Sequence, residues 1–273
     1  MYGWCRPTDI NLLQARMSHC IDDVWSWTRS NRLQLNPAKT EFVWCAPSRR
    51  RHHILTSDVL VCNDSIHPVQ SVRDLGVYVD EAMTMRTHIS HVLSSCFSAL
   101  RLIKSIKRSL PADALTTLVI ALVHSRLDYC NVVFAGLPSC DIHRVQSVLN
   151  TAGCLVAAAS RCAHVSRLLR DHHWVPVKHR IEYKLCMTVH RCLHGEAPRC
   201  LAGLIMPSAA ATGRTGLRWA TFGSIAVPRT TSSLDDRSFA VAAPRAWNNL
   251  PSPLRRVHSV NTFRRQLKIL LFA

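Results

Sequence analysis

Two pairs of adjacent aspartates are the first side chains in this sequence that could serve metal-dependent chemistry: Asp22-Asp23 and Asp235-Asp236. Carboxylates that share two divalent ions can stabilise the attacking and leaving oxygens of a phosphoryl transfer. Asp22 and Asp23 lie inside a predicted helix, where adjacent side chains diverge by about 100° and do not easily face one metal pair. We interpret this pair as a solvated helix face. The second pair lies in a predicted loop beside Arg237, and we interpret it as a turn or an ion pair.

Cysteine and histidine are abundant enough, at twelve and fifteen residues, to require a check for metal ligands. Cys186, His190 and His194 recur every four residues on one predicted helix, with Cys192 close by. Structural zinc takes four ligands, usually in paired short spacings from two elements. The sequence has no Cys-x-x-Cys pair, and one helix would have to supply every ligand. We therefore predict no metal site and no bound cofactor.

A stripe of basic residues is the best candidate for a binding site. Arg101, Lys104 and Arg108 follow one another at helical spacing, to one side of the predicted apolar seam, and Lys107 adds charge nearby. Such a stripe can lie along a phosphate backbone, and contacts of this kind are independent of sequence and sensitive to salt. A merely solvated helix face is the alternative interpretation.

The first third of the chain is predicted to be α+β. Thr8 or Asp9 can cap a helix that runs to about Ser30. Alternation of apolar and polar residues predicts short strands, and Asn63-Asp64-Ser65 predicts a turn. The basic cluster at residues 49–53 is predicted to be an exposed turn or loop. The predicted strands are Glu41–Cys45, Val59–Cys62, Ile66–Val69 and Leu75–Val79.

From Thr84 onward the periodicity changes to that of helices. Gly195 suits a helix end, and Ser208–Ser233 is predicted to be a loop. The predicted seam of the helix at Met85–Leu110 contains Ile89, Val92, Leu93, Cys96, Leu100 and Ile103. The predicted helices cover Met85–Leu110, Leu115–Val123, Ile142–Ala159, Lys178–His194 and an amphipathic tail at Val260–Phe272.

Composition favours a polyanionic partner. The 273 residues include 34 Lys and Arg against 17 Asp and Glu, a formal charge of +17. The positive electrostatic field that this charge produces favours nucleic acid over an acidic membrane surface as the partner. A basic but inert surface is the plainer alternative. The longest apolar stretches, Leu118–Val123 among them, are far shorter than the roughly 20 residues that span a bilayer, so we expect no membrane segment.

The N-terminal residues contain no basic stretch followed by an apolar one, so we expect no signal peptide. The protein should then be intracellular, either cytoplasmic or nuclear. In that environment cysteines stay reduced, and we expect most of them to be buried as small hydrophobic residues.

Seven stretches, taken in order, resemble the C-terminal part of the reverse transcriptase of non-LTR (LINE, jockey-like) retrotransposons. Together they extend over nearly the whole chain. One departure is that His172 and Val175 stand where the motif usually has leucine, and we interpret His172-His173-Trp174 as a packing corner. The seven stretches are WSWTRSNRLQLNPAKTEFV, VRDLGVYVD, SRLDYCNVVFAGLP, HHWVPVKHRIEYKL, GEAPRCL, RAWNNLPSPLRR and TFRRQLKILLF.

The resemblance implies a remnant palm β-sheet with one helix and a primer-grip hairpin at residues 1–83, thumb-like helices at 84–135, and a mainly helical C-terminal region at 136–273 with a loop at about 208–233. Leu75, Gly76 and Val77 match the primer grip, whose backbone supports the primer end. A glycine there suits close approach of a partner or a β-bulge.

The family is an RNA-directed DNA polymerase that uses Mg²⁺ or Mn²⁺. By the resemblance, the ions are held by aspartates from an early palm strand and from a Tyr-Ala-Asp-Asp hairpin, and this sequence resembles the stretch immediately downstream of that hairpin. Lys39 matches the lysine that approaches the incoming nucleotide and assists departure of pyrophosphate. Without the metal-binding aspartates we expect an inherited position without its chemistry. A surface lysine at a strand start is the alternative.

These observations predict weak, sequence-independent association with RNA or DNA, no polymerase activity and no small-molecule substrate. The alternative hypothesis belongs to another class: a relic open reading frame with no selected function, or a remnant that only packs against itself or other proteins.

Overall fold

The computed structural model describes residues 2–46, 58–61, 64–159, 164–208 and 223–272. The fold is mixed α+β and mostly helical, which confirms the predicted class. Its sheets are two antiparallel pairs of short strands. The chain divides into two compact units, Met1–His88 and Ile89–Ala273. The basic cluster at 49–53 lies outside the described residues.

The first unit contains one long helix and the four short strands. A 3-10 turn at Pro7–Asp9 leads into the helix, whose N-cap is Asp9 as predicted, but the Asp9 side chain makes no capping hydrogen bond. Strands β1 and β2 pair in register from Val59 opposite Ile66, and β3 and β4 pair from Ser71 opposite Asp80. The elements are α1 (Ile10–Ser30), β1 (Val59–Val61), β2 (Asp64–Ile66), β3 (Ser71–Asp74) and β4 (Val77–Asp80).

Two predicted strands in this unit, Glu41–Cys45 and most of Ile66–Val69, are wrong, and so is the predicted turn at Asn63-Asp64-Ser65. Of the second predicted strand only Ile66 belongs to β2. Residues 41–46 are extended but form no strand, because their backbone makes isolated bonds and no ladder. The Ala46 amide donates to the Glu81 carbonyl at 2.9 Å, and Phe42 accepts from the Val69 amide at 2.8 Å. Asp64 and Ser65, predicted as a turn, belong to β2, whereas Cys62 and Asn63 lie outside the described residues.

Helix α1 has an apolar face that is only partly covered. None of the residues that the structure describes in α1 is buried, and Leu12 and Trp27 are more than half exposed. The buried apolar side chains of this unit are few, with Val59 and Val61 from β1 among them. Little hydrophobic burial therefore stabilises this helix.

The second unit is built from helices. The helix predicted at Leu115–Val123 is interrupted by a π-helical turn at Ile120–His124. A 3-10 turn at Lys107–Ser109 follows α2, and another spans Asn131–Phe134. The α-helices are α2 (Arg86–Ile106), α3 (Ala112–Val119), α4 (Ser125–Asp128), α5 (Ser139–Val156), α6 (Val165–Asp171), α7 (Val177–Leu193), α8 (Arg199–Ala202), α9 (Phe239–Asn248), α10 (Ser252–Arg255) and α11 (Val260–Phe272).

Helix α7 lies at the centre of this unit, packed against α5, α9 and α11. Val177, Ile181, Leu185 and Val189 recur every four residues and are all buried. Residues four apart share a helix face, so this row forms one continuous apolar ridge. Burial of each such side chain contributes about 1.5–3 kcal/mol, so this ridge is a substantial source of stability for the unit.

The C-terminal segment combines a confirmed helix with elements that periodicity missed. The amphipathic tail is α11, with Phe263 and Leu267 buried. Helices α6, α8, α9 and α10 were not predicted. A β-bridge joins Pro207, just before the predicted loop Ser208–Ser233, to Ile225 in the described part of that loop.

The expectation that cysteines are mostly buried is wrong. The described cysteines are all free thiols, but only Cys96 and Cys186 are buried. The exposed ones lie on helix surfaces, as Cys20 does, in turns, as Cys130 does, or on the extended segment, as Cys45 does.

Candidate nucleic-acid interface

The basic stripe lies on the surface of α2 and the 3-10 turn that follows it. Arg101, Lys104 and Arg108 are all exposed, while Ile103 between them is buried. None of the three cations is paired with a carboxylate in the part of the chain that the structure describes. The stripe therefore offers three free cations along about two turns of one helical surface, a geometry suited to successive phosphates.

Lys107 has a different role from the other three. It follows Ile103 by one helical turn, so it lies on the buried side of the helix. Its ammonium donates a hydrogen bond of 2.5 Å to the carbonyl oxygen of Leu155, in the last turn of α5. A cation at this end of a helix satisfies an unpaired carbonyl and opposes the helix dipole favourably. Lys107 thus holds two helices together.

Leu75 and Gly76 form the turn of the β3–β4 hairpin, not part of a strand as predicted. Asp74 pairs with Val77, which leaves two residues in the turn. Their φ angles are +45° and +86°, as a type I′ turn requires at both central positions. Gly76 adopts this conformation without strain, but Leu75 has a Cβ and is 84% exposed. The tight turn by itself is a sufficient physical reason for the glycine.

Lys39 ends a 3-10 turn at Pro37–Lys39 and is exposed. The turn is held by the Lys39 amide and the Thr40 hydroxyl, which both donate to the carbonyl of Asn36, at 3.1 and 3.0 Å. Lys39 therefore precedes an extended segment, as its sequence position suggested. Among the described residues there is no group of three or more His, Cys, Asp or Glu that could hold a metal ion.

The aspartate pairs lie on separate elements, α1 and a 3-10 turn at Asp235–Arg237. Asp22 and Asp23 are exposed on α1, and Asp23 pairs with His19 at 3.2 Å. Asp236 accepts hydrogen bonds from Thr230 and Arg245, each at 2.7 Å. These bonds hold the pKa of the Asp236 carboxyl below its usual value. The interpretation of the second pair as an ion pair is confirmed, although the partner is Arg245 and not the adjacent arginine.

The histidines of α7 are engaged in packing. His190 is fully buried, and its Nε2 donates to the carbonyl of Val257 at 2.8 Å. Its ring stacks on Phe263 and on His194, with centroids 4.4 and 4.1 Å apart. Burial, and secondarily the charge of Glu182, raises the pKa of the Cys186 thiol to about 12, so the thiolate that zinc requires is disfavoured. This face anchors the C-terminal segment.

Two of the stretches that carried the family resemblance meet at Arg180. Its Nη1 donates to Asp128 at 2.8 Å, its Nη2 to Nδ1 of His124 at 3.0 Å, and its Nε to the carbonyl of Val175 at 2.7 Å. Trp174 is buried edge-on to the His124 ring, with centroids 4.3 Å apart. The packing corner predicted at residues 172–174 is therefore present, and it includes a polar centre that the sequence did not reveal.

A second polar centre was also missed. Asn248 pairs with both backbone groups of Ile225: its Oδ1 accepts from the amide at 2.9 Å and its Nδ2 donates to the carbonyl at 2.8 Å. The neighbouring Trp247 is fully buried and donates to the carbonyl of Gly223 at 2.8 Å. The only sequence signal was the cluster of polar and aromatic letters in RAWNNLPSPLRR.

Comparison with family models, with curated proteins and with solved structures finds no match for this chain. Within the described residues, no helix is both long enough and apolar enough to cross a membrane.

Proposed function

We propose that this chain binds the phosphate backbone of RNA or DNA, weakly and without sequence preference, as a fragment derived from a non-LTR retrotransposon reverse transcriptase. The observation that carries the proposal is the exposed stripe of Arg101, Lys104 and Arg108, which has no carboxylate partner in the described part of the chain. The net charge of +17 adds a long-range field that attracts polyanions to it. The family origin rests on the seven sequence stretches.

We also propose that these 273 residues do not extend a primer. Two-metal phosphoryl transfer needs converging carboxylates. Asp22 and Asp23 lie on a solvated helix face, and Asp236 is engaged by Arg245. Incubation of the purified chain with template, primer, nucleotides and Mg²⁺ or Mn²⁺ should yield no product. Extension above heat-killed and mock controls would contradict this part of the proposal.

The binding itself is tested by fluorescence anisotropy with labelled RNA and DNA duplexes over a range of salt concentrations. Replacing Arg101, Lys104 and Arg108 together with Ala should weaken binding to every duplex alike. The slope of log K against log salt should fall by up to about 3 for DNA, since each lost phosphate contact removes roughly 0.9.

A matched triple variant separates the stripe from net charge. Arg264, Arg265 and Lys268 are exposed cations on α11, and their replacement with Ala removes the same charge. We expect this control to keep most of the affinity and most of the salt slope. Equal losses in the two triple variants would show that total charge alone governs binding, and the stripe would not be the interface.

A further inference from the structure

A large groove opens on the second unit, separate from the basic stripe. Its volume is about 1300 Å³, and its walls are contributed by α5, α6, α7, α9 and the end of α11. Pockets for small molecules usually measure about 300–1,000 Å³, so this groove exceeds the size that one small ligand fills. Its dimensions suit a segment of polypeptide.

Apolar side chains from separate helices line the groove. Ile142 of α5, Leu185 of α7 and Leu270 of α11 all border it. Surfaces between helices present ridges and grooves at the spacing of helix side chains, and the recurring occupant of such a surface is an amphipathic helix that inserts its apolar face. A nucleic-acid backbone would leave this apolar lining uncovered.

The charges at the groove leave an excess of cations. Arg245 is paired with Asp236 at 2.7 Å, and His179 with Glu182 at 2.8 Å. Arg170 and Lys178 also line the groove, are exposed, and have no carboxylate partner among the described residues. Acidic groups on the occupant of the groove would therefore form ion pairs with these two cations.

We propose that this groove binds an acidic amphipathic helix from a partner protein. The apolar face of that helix packs on the lining, and its flanking carboxylates pair with Arg170 and Lys178. A second copy of this chain is a poor occupant because two chains of charge +17 repel each other. The proposal is independent of nucleic-acid binding by the stripe on α2.

The probe is a fluorescent synthetic peptide of about 14 residues, or roughly four helical turns, with Leu on one face and Glu on both flanks. A scrambled peptide of the same composition and a peptide with Lys in place of Glu are the controls. In anisotropy titrations of the full chain, the acidic helix should bind saturably and at least about tenfold more tightly than either control peptide.

Charge reversal locates the contact. The double change Arg170→Glu and Lys178→Glu should weaken binding of the acidic peptide by at least about tenfold. Arg167→Glu with Lys184→Glu is the matched control, because these exposed residues lie on the same two helices but outside the groove. The control should change affinity by less than about twofold.

Leu270 and Ile269 provide a second matched pair. Both are exposed on α11, but only Leu270 lines the groove. Leu270→Asn should weaken binding of the acidic peptide severalfold, and Ile269→Asn should not. Circular dichroism and Tm verify that each variant is folded.

Three results would overturn the proposal. The first is no saturable binding of the acidic peptide up to about 1 mM. The second is equal binding of the acidic and basic peptides, or equal losses in the groove and control variants. The third is a combination of two observations: a DNA duplex displaces the peptide, and the double change Arg170→Glu and Lys178→Glu weakens binding of duplex and peptide equally. That result would assign the groove to nucleic acid.

Discussion

The guanidinium of Arg180 donates from Nη1 to the carboxylate of Asp128 at 2.8 Å, across 52 positions of sequence. The Arg180 side chain is 13% exposed and that of Asp128 is 40% exposed. The pair joins α4 to α7 and fixes the neutral ring of His124 through a second guanidinium nitrogen. Several contacts of the second unit thus depend on one arginine.

Replacing Arg180 with Met should lower the free energy of unfolding by about 2–3 kcal/mol, since it leaves a partly buried carboxylate and a buried imidazole without their donor. Lys184→Met, an exposed cation one turn further along α7, should change it by less than about 0.5 kcal/mol. Urea denaturation followed by circular dichroism measures both. Equal effects would show that Arg180 contributes nothing specific.

Acid should destabilise the protein through His124. Burial, and secondarily the charge of Arg180, lowers the pKa of this imidazole from 6.5 to about 3. The unfolded chain therefore takes up the proton first as pH falls. The stabilisation is complete above about pH 6.5 and is lost progressively toward pH 3.

Between pH 7 and pH 5 the His124 contribution to the free energy of unfolding should fall by about 2 kcal/mol. His124→Gln lowers stability at neutral pH but should remove that share of the pH dependence. His190, whose pKa burial also lowers, retains its own share in this variant. Denaturation series at several pH values provide the measurement, and parallel curves for wild type and variant would refute the assignment to His124.

Asn248 and Asn249 are adjacent residues whose replacement should lower stability to different extents. Asn248→Ala removes two hydrogen bonds to the backbone of Ile225 and should cost about 1–3 kcal/mol. Asn249 is exposed, so Asn249→Ala should cost less than about 0.5 kcal/mol. Thermal melts of the two variants compare them directly. If Asn249→Ala is the more damaging of the two, the bridge to Ile225 is not the source of stability.

Lys107 and Arg108 should separate stability from binding. Lys107→Met removes the hydrogen bond to the end of α5 and should cost about 1–2 kcal/mol, with little effect on the salt dependence of nucleic-acid binding. Arg108→Met should leave stability nearly unchanged and reduce the DNA salt slope by about 1. Chemical denaturation and salt titrations of both variants test this. If Lys107→Met lowered the salt slope and Arg108→Met lowered stability, Lys107 would be the phosphate contact and Arg108 the stabilising residue.

Helix α1 should exchange its amide hydrogens far faster than α7. None of the described residues of α1 is buried, whereas α7 contributes much of the core. Local opening of α1 therefore requires little free energy, and its protection should be at least about 100-fold weaker. Hydrogen exchange read by mass spectrometry distinguishes the two helices. Equal protection would mean that the apolar face of α1 is covered in solution.

Much of the helical framework could be predicted from sequence, because helix periodicity is local. The seam of α2, the ridge of α7 and the tail α11 each recur at spacings that one helix imposes. The exposure of Arg101 and Lys104 followed from the same rule, since a residue to one side of a buried seam faces solvent. Sequence alone thus determined the fold class and the candidate stripe.

The tertiary structure decided which polar residues belong to the core. Lys107 follows a basic stripe in sequence, but its ammonium caps a helix 48 positions away. Arg180 and Asp128 meet only because α7 packs beside α4, and the groove between helices exists only once they have packed. Such pairings depend on loop closure and on the packing of distant segments. The periodicity within one segment reports only its local structure and therefore does not predict them.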